Sequence, residues 1–203
     1  MKITLPTSRN FFQNLDISFF SEIQSSRILS SPDQNIKAGS DHEYRLHLRK
    51  RLSEHLILCG ETQLDSSIMD LAQLPQQQGW SFSLSHCPRG SAFAALAKPN
   101  LQVGIDVEAI DRLSPSIIDR ITKPLEQNSC PKPLHLFSAK ESAWKALNED
   151  YSLPTLSHFE IVSWSTLHKD WFGFKVQLND QVLDGQGFST EIGPVCMALY
   201  LQN

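Results

Sequence analysis

Two short segments hold the residue types that could do chemistry: Val103-Gly104-Ile105-Asp106-Val107-Glu108 and Phe137-Ser138-Ala139-Lys140-Glu141-Ser142-Ala143-Trp144-Lys145. In the first, Leu101, Val103, Ile105 and Val107 alternate with Gln102, Gly104, Asp106 and Glu108, the period of a β-strand, so Asp106 and Glu108 point the same way. Gly104 shares that face and has no side chain, which leaves room for a guest beside two carboxylates that would otherwise repel. A cation is the expected guest. The second segment predicts a helix start, with Ser138 as N-cap, Glu141 three residues on, and Ala143, Trp144 and Leu147 as an apolar stripe. Glu141 and Lys145 stand four apart on one helix face. If that face meets the polar face of the strand, three carboxylates converge with one or two ammonium groups. Oxygen-only ligands favour magnesium, whose shell is commonly shared with substrate phosphates. Lys140 and Lys145 would then meet phosphate charge. Taken singly, each segment also suits an ordinary role: the wet face of an edge strand, or a surface helix with a cap and an i,i+4 pair.

The order of the two segments adds to their content. Gly-Ile-Asp-Val-Glu followed by Phe-Ser-Ala-Lys-Glu-Ser-x-x-Lys resembles the paired signature of the 4′-phosphopantetheinyl transferases. It is most similar to the two-lobed, single-chain group of enterobactin and surfactin type that serves peptide, polyketide and siderophore synthases. Upstream, Phe82-Ser83-Leu84-Ser85-His86-Cys87 resembles that group's Ser-x-Ser-His step. The resemblance runs from Trp80 to Leu156, with a weaker match from Glu43 to Leu52.

This resemblance implies transfer of the phosphopantetheine arm of coenzyme A to a serine hydroxyl of an apo acyl or peptidyl carrier protein, releasing adenosine 3′,5′-bisphosphate. It also implies Mg2+ held by Asp106, Glu108 and Glu141 against the pyrophosphate. Glu141 matches the residue proposed as general base, directly or through a metal-bound water. Lys145 and Lys140 match residues that stabilise pyrophosphate charge, and His86 and Ser85 match phosphate contacts. Arg45 aligns with an arginine that grips the 3′-phosphate, a task suited to a guanidinium fork, although a solvated basic face explains it equally well. For Arg49, Lys50 and Arg51 the solvated face is the better reading. The family's basic-aromatic cluster is replaced here by Pro32-Asp33-Gln34-Asn35-Ile36-Lys37, where Lys37 is the single basic residue. Its turn before the serine strand is replaced by Leu74-Pro75-Gln76-Gln77-Gln78-Gly79-Trp80. Two alternatives stay open: a relative that binds coenzyme A or a carrier with little transfer, and an unrelated magnesium phosphohydrolase.

The elements that must position these residues can be read from periodicity. Asp41 starts a helix running to Leu58, with Tyr44, Leu48, Leu52 and Leu56 as its buried stripe. Trp80 to Ser85 alternates as a strand, followed by strands over 91–97 and 101–107 with Lys98-Pro99-Asn100 as the joint. Ser114-Pro115 opens a helix carrying Ile117, Ile118, Ile121 and Leu125 as its apolar stripe. Arg112, Arg120 and Lys123 beside it are either ordinary surface charges or a meeting point for an acidic carrier. Phe159 to Trp164, Trp171 to Leu178 and Val195 to Leu201 read as strands, with Gly185, Gly187 and Gly193 at turns. The fold class expected is α+β. By the resemblance it has two similar lobes related by a pseudo-twofold, each a small mainly antiparallel sheet packed on helices: residues 1–99 for coenzyme A phosphates and 100–203 for the metal carboxylates and catalytic helix.

A formal charge of −4, from 18 basic and 22 acidic residues, argues against nucleic-acid binding. The four cysteines are scattered without a Cys-x-x-Cys pair, as expected of reduced cytoplasmic thiols. No apolar run approaches the roughly 18 residues of a membrane span. A cytoplasmic protein without membrane contact, sufficient as a monomer, is expected.

Overall fold

A computed structural model of the chain describes residues 41–58, 60–87, 92–97, 102–148, 155–168, 170–192 and 195–202. Lys37, the joint at Lys98-Pro99-Asn100 and the side chain of Tyr44 lie outside what it describes. The elements are α1 (Asp41–Leu58), β1 (Ser81–His86), β2 (Ala92–Ala97), β3 (Gln102–Ala109), α2 (Pro115–Ile121), α3 (Pro124–Ser129) and α4 (Pro133–Leu147). They continue with β4 (Phe159–His168), β5 (Trp171–Leu178), β6 (Gln181–Val182), β7 (Gln186–Ile192) and β8 (Val195–Gln202), and single 3-10 turns sit at Ser66–Ile68 and Leu156–His158. The class is α+β, with antiparallel sheets packed on helices. β1 and β2 form a hairpin, and the larger sheet runs β3-β8-β7-β5-β4 with β6 on β5. No described helix is long and apolar enough to cross a membrane.

Helix α4 covers the larger sheet. Its Leu136, Ala139, Ala143 and Ala146 pack on Phe159, Ile161, Phe174, Val176, Ala198 and Tyr200. Small residues at helical spacing let the helix sit low on the strands, and its lowest point is Gly104. A Cβ there would stand 1.8 Å from the Ser142 carbonyl oxygen and 2.5 Å from the Ala146 nitrogen. The space beside Gly104 is therefore filled by helix backbone rather than by a guest, a correction to the expectation from sequence. Both faces of β3 are covered, and Asp106 is only 3% exposed, so this is no wet edge strand.

The hairpin packs between α1 and the edge of the larger sheet. Leu48, Leu52, Leu56 and Ile68 form its small core with Trp80, Phe82 and Leu84. On the other side, the Ile105 N–H donates to Ser83 Oγ at 2.9 Å and the Val107 N–H to Ser85 Oγ at 3.1 Å. Two serine hydroxyls at i and i+2 thus accept donors that an edge strand would otherwise leave to water.

Several boundaries differ from the sequence reading. α4 begins at Pro133 behind Lys132, so Ser138 is a fully buried interior position rather than a cap. Proline at the first helical position, with its φ already set, outweighs the Ser-x-x-Glu pattern. Pro124 ends the preceding helix and starts α3, which leaves Leu125 82% exposed instead of on a buried stripe. Gly187 lies inside β7, where a Cβ would meet the Phe174 ring at 2.0 Å. It marks close packing, not a turn. The hairpin turn is instead Asn179-Asp180, both at positive φ.

The contact of α4 with Gly104 predicts the cost of a single methyl group. Gly104→Ala should lower stability by about 3 kcal/mol, the upper range for overpacking, because the obstruction is backbone. Urea unfolding checks this, and a midpoint equal to that of the parent would contradict the contact.

Candidate functional site

Three elements meet at Asp106. β3 carries it, β1 supplies Ser85, and α4 supplies Lys145 and Glu141. Lys145 Nζ donates to Asp106 Oδ1 at 2.7 Å and to Ser85 Oγ at 3.3 Å, while Ser85 donates to the same carboxylate oxygen at 3.2 Å. Lys145 Nζ also stands 3.9 Å from Glu141 Oε2. The other oxygen, Asp106 Oδ2, is buried and finds no hydrogen-bond partner among the described residues. A carboxylate oxygen removed from water and left unbonded is costly, and a cation is what such an atom accepts.

Burial raises the carboxyl pKa values of both Glu108 and Glu141. Burial, reinforced by the Asp106 charge, pushes the Glu108 carboxyl up to about 7 against the opposing pull of Arg112 and Lys145. Arg112 Nη1 lies 3.2 Å from Glu108 Oε2 at the surface. The Glu141 carboxyl is also raised, chiefly by burial, with Lys145 opposing and Asp106 adding to the rise. Among the described residues, no three His, Cys, Asp or Glu side chains are gathered closely enough to hold a metal ion as they stand. The Lys145 ammonium sits among the carboxylates at Asp106, and the Arg112 guanidinium meets Glu108 from the surface.

A cleft of about 860 Å3 opens beside this cluster, lined by Arg45, the Leu74 to Gln78 loop, Trp80, His86, Trp144 and Lys145 among others. Lys145 links the two regions, since its side chain lines the cleft and its ammonium holds Asp106. The unusual loop is firmly tied: Trp80 Nε1 donates to Glu61 Oε1 at 2.7 Å, and Gln77 Oε1 accepts the Asp65 N–H at 2.9 Å.

The residues singled out from sequence fall into three groups. Arg45, His86 and Lys145 line the cleft, and Arg45 Nη2 donates to the Leu71 carbonyl at 2.7 Å. Asp106, Glu108 and Glu141 lie next to Lys145, close enough to influence one another's charge. Ser85 and Lys140 do not line the cleft. The Ser85 hydroxyl is committed to the β3 seam, and Lys140 is fully buried with its ammonium 2.9 Å from Glu126 and from the Ile121 carbonyl. The expectation that Lys140 meets phosphate is corrected on that ground. Arg49 is also not on a solvated face. It is 3% exposed and donates to the carbonyls of Ser67 at 2.7 Å and Gln73 at 2.5 Å, tying α1 to the loop below the cleft. Its place beside Leu48 and three before Leu52, on the buried stripe, was the available signal. Ser83 was the other omission, and its spacing of two from Ser85 pointed to the shared face.

Residues 102–186 match the family model of the 4′-phosphopantetheinyl transferase superfamily. The chain is also similar to enterobactin synthase component D of Salmonella typhi, 38% identical over 96 residues, and to the Salmonella typhimurium protein of that name, 36% identical over 96 residues. Each match covers 42% of this chain and 40% of the relative, so the chain matches well under half the length of these curated relatives.

The raised Glu108 carboxyl sets a pH dependence of known sign. Between the ordinary value of 4.5 and about 7, the folded state holds a proton that the unfolded state has released, so stability falls as pH rises through that window. Removing the charge should recover it. Glu108→Gln is expected to match the parent at pH 4 and to exceed it at pH 8 by on the order of 2 kcal/mol in metal-free urea unfolding. An equal difference at both pH values would contradict the raised carboxyl.

Proposed function

We propose that this chain, whose residues 102–186 match the family model of the 4′-phosphopantetheinyl transferase superfamily, is a member of that superfamily and transfers the phosphopantetheine arm of coenzyme A to a serine hydroxyl of an apo carrier protein. Adenosine 3′,5′-bisphosphate is the product released, and the acceptors are carrier domains of secondary-metabolite synthases such as those of siderophore assembly. One observation supports this above the others: Lys145 lines a cleft of about 860 Å3 and joins it to the buried Asp106, which has one oxygen unpartnered among the described residues and Glu108 and Glu141 as its neighbours.

Phosphoryl transfer asks a protein chiefly to position the groups and to neutralise charge. Lys145 and His86 bind the pyrophosphate in the cleft, while Arg45 takes the 3′-phosphate. Glu141, whose carboxyl is raised chiefly by burial and is the stronger base for it, accepts the proton of the attacking serine hydroxyl as the carboxylate. Ser85 and the β3 seam hold Asp106 in place and leave one of its oxygens open. The all-oxygen donor set and that open oxygen fit a hard divalent ion, so Asp106, Glu108 and Glu141 would hold Mg2+. When bound, the ion neutralises pyrophosphate charge. The two halves of the chain, 1–99 and 100–203, act as paired lobes with pseudo-twofold symmetry, and the protein works as a cytoplasmic monomer.

The test is to incubate the protein with coenzyme A, Mg2+ and an apo carrier, and to weigh the carrier. A gain of one phosphopantetheine is expected. Binding without a mass change would indicate a non-transferring relative, and phosphate release would indicate a phosphohydrolase. Glu141→Gln should lower kcat by about 10² to 10⁴ with an unchanged circular dichroism spectrum. Near-parent turnover in that variant would remove Glu141 as the base.

A further inference from the structure

We propose that the buried Glu126–Lys140 ion pair is a positioning device that fixes the rotation of α4 about its axis, so that Glu141 and Lys145 face Asp106. The inference rests on the transferase reading above. It concerns a part of the chain outside the cleft.

The Glu126 carboxylate gathers four elements. Its Oε2 accepts from Lys140 Nζ at 2.9 Å and from the Lys123 N–H at 2.8 Å, and its Oε1 accepts from the Ile161 N–H at 2.8 Å. Lys140 Nζ also donates to the Ile121 carbonyl at 2.9 Å. The end of α2, the start of α3, strand β4 and helix α4 thus converge on one pair. Glu126 is 4% exposed and Lys140 is fully buried.

Stability alone does not call for such a pair. Taking two charges out of water costs about as much as their attraction returns, and apolar replacements of similar volume are often neutral or stabilising. What an apolar contact lacks is direction. On its sheet side, α4 presents Leu136, Ala139, Ala143 and Ala146, and along the stretch that carries Glu141 and Lys145 these are only small, smooth alanines that tolerate sliding and rotation. The pair supplies an anchor with fixed angles, one residue before Glu141. A side-chain tip about 6 Å from a helix axis moves about 1 Å for each 10° of rotation. A displacement of that size is enough to cost about a hundredfold in rate.

The test is the double variant Glu126→Leu/Lys140→Met, compared with the parent in three readings. Its melting temperature should equal or exceed the parent's. Its kcat for carrier modification should fall roughly tenfold to a hundredfold, with KM for coenzyme A within about twofold. In its crystal structure the Lys145 Nζ to Asp106 Oδ1 separation, 2.7 Å here, should exceed about 3.5 Å. Unchanged kcat or an unmoved α4 overturns the proposal. If the double variant does not fold, Glu126→Asp keeps both charges, shortens the carboxylate by one methylene, and is judged on the same kcat and separation. If the parent transfers nothing, the functional reading fails, and the helix position by itself decides this one.

Discussion

A buried carboxylate on a strand constrains everything near it. Asp106 is 3% exposed on β3, and a charge so placed is tolerable only with partners delivered at hydrogen-bond distance. Lys145 from α4 and Ser85 from β1 are those partners. α4 must therefore lie directly across β3, which requires Gly104 and small helix residues beneath it. β1 must run beside the same strand, which its serine hydroxyls make possible by accepting β3 backbone donors. The hairpin, the helix and the sheet edge are held together by the needs of one side chain.

That arrangement leaves a deliberate imbalance. Around Asp106 stand Glu108 and Glu141, both with raised carboxyl pKa values, while one Asp106 oxygen has no hydrogen-bond partner among the described residues. Lys145 offsets only part of the negative charge. A carboxylate cluster short of positive charge lies beside a cleft lined by Arg45, His86 and Lys145, so basic groups stand on one side and acidic groups on the other. The proposed ligand, a pyrophosphate with a divalent ion, would satisfy both sides, and residues 102–186 match the family model of the 4′-phosphopantetheinyl transferase superfamily.

Much of this was legible in the sequence, and what was not has a common cause. Alternation along β3 placed Asp106 and Glu108 on one face, and the spacing of Glu141 and Lys145 put them on one side of a helix. Periodicity says which residues share a face but not what packs against it. Hence the space beside Gly104 went to the Ser142 carbonyl rather than to an ion, and Lys140, one residue from Glu141, turned into the core towards Glu126. Arg49 was hidden by its charge, since a guanidinium on a buried stripe is recognisable only when the loop carbonyls that receive it are in view. β7 was missed because Gly185 and Gly187 read as turn residues, whereas Gly187 makes room for the Phe174 ring.

The account turns on whether Lys145 and Asp106 truly depend on each other. A double-mutant cycle of Lys145→Met and Asp106→Asn, measured by urea unfolding at neutral pH without divalent ions, addresses this directly. A favourable coupling of about 1.5 to 3 kcal/mol is expected for a charge-assisted hydrogen bond at this burial. Additivity within about 0.5 kcal/mol would mean that the two side chains do not pair in the folded protein, and the convergence of the three elements on Asp106 would be wrong.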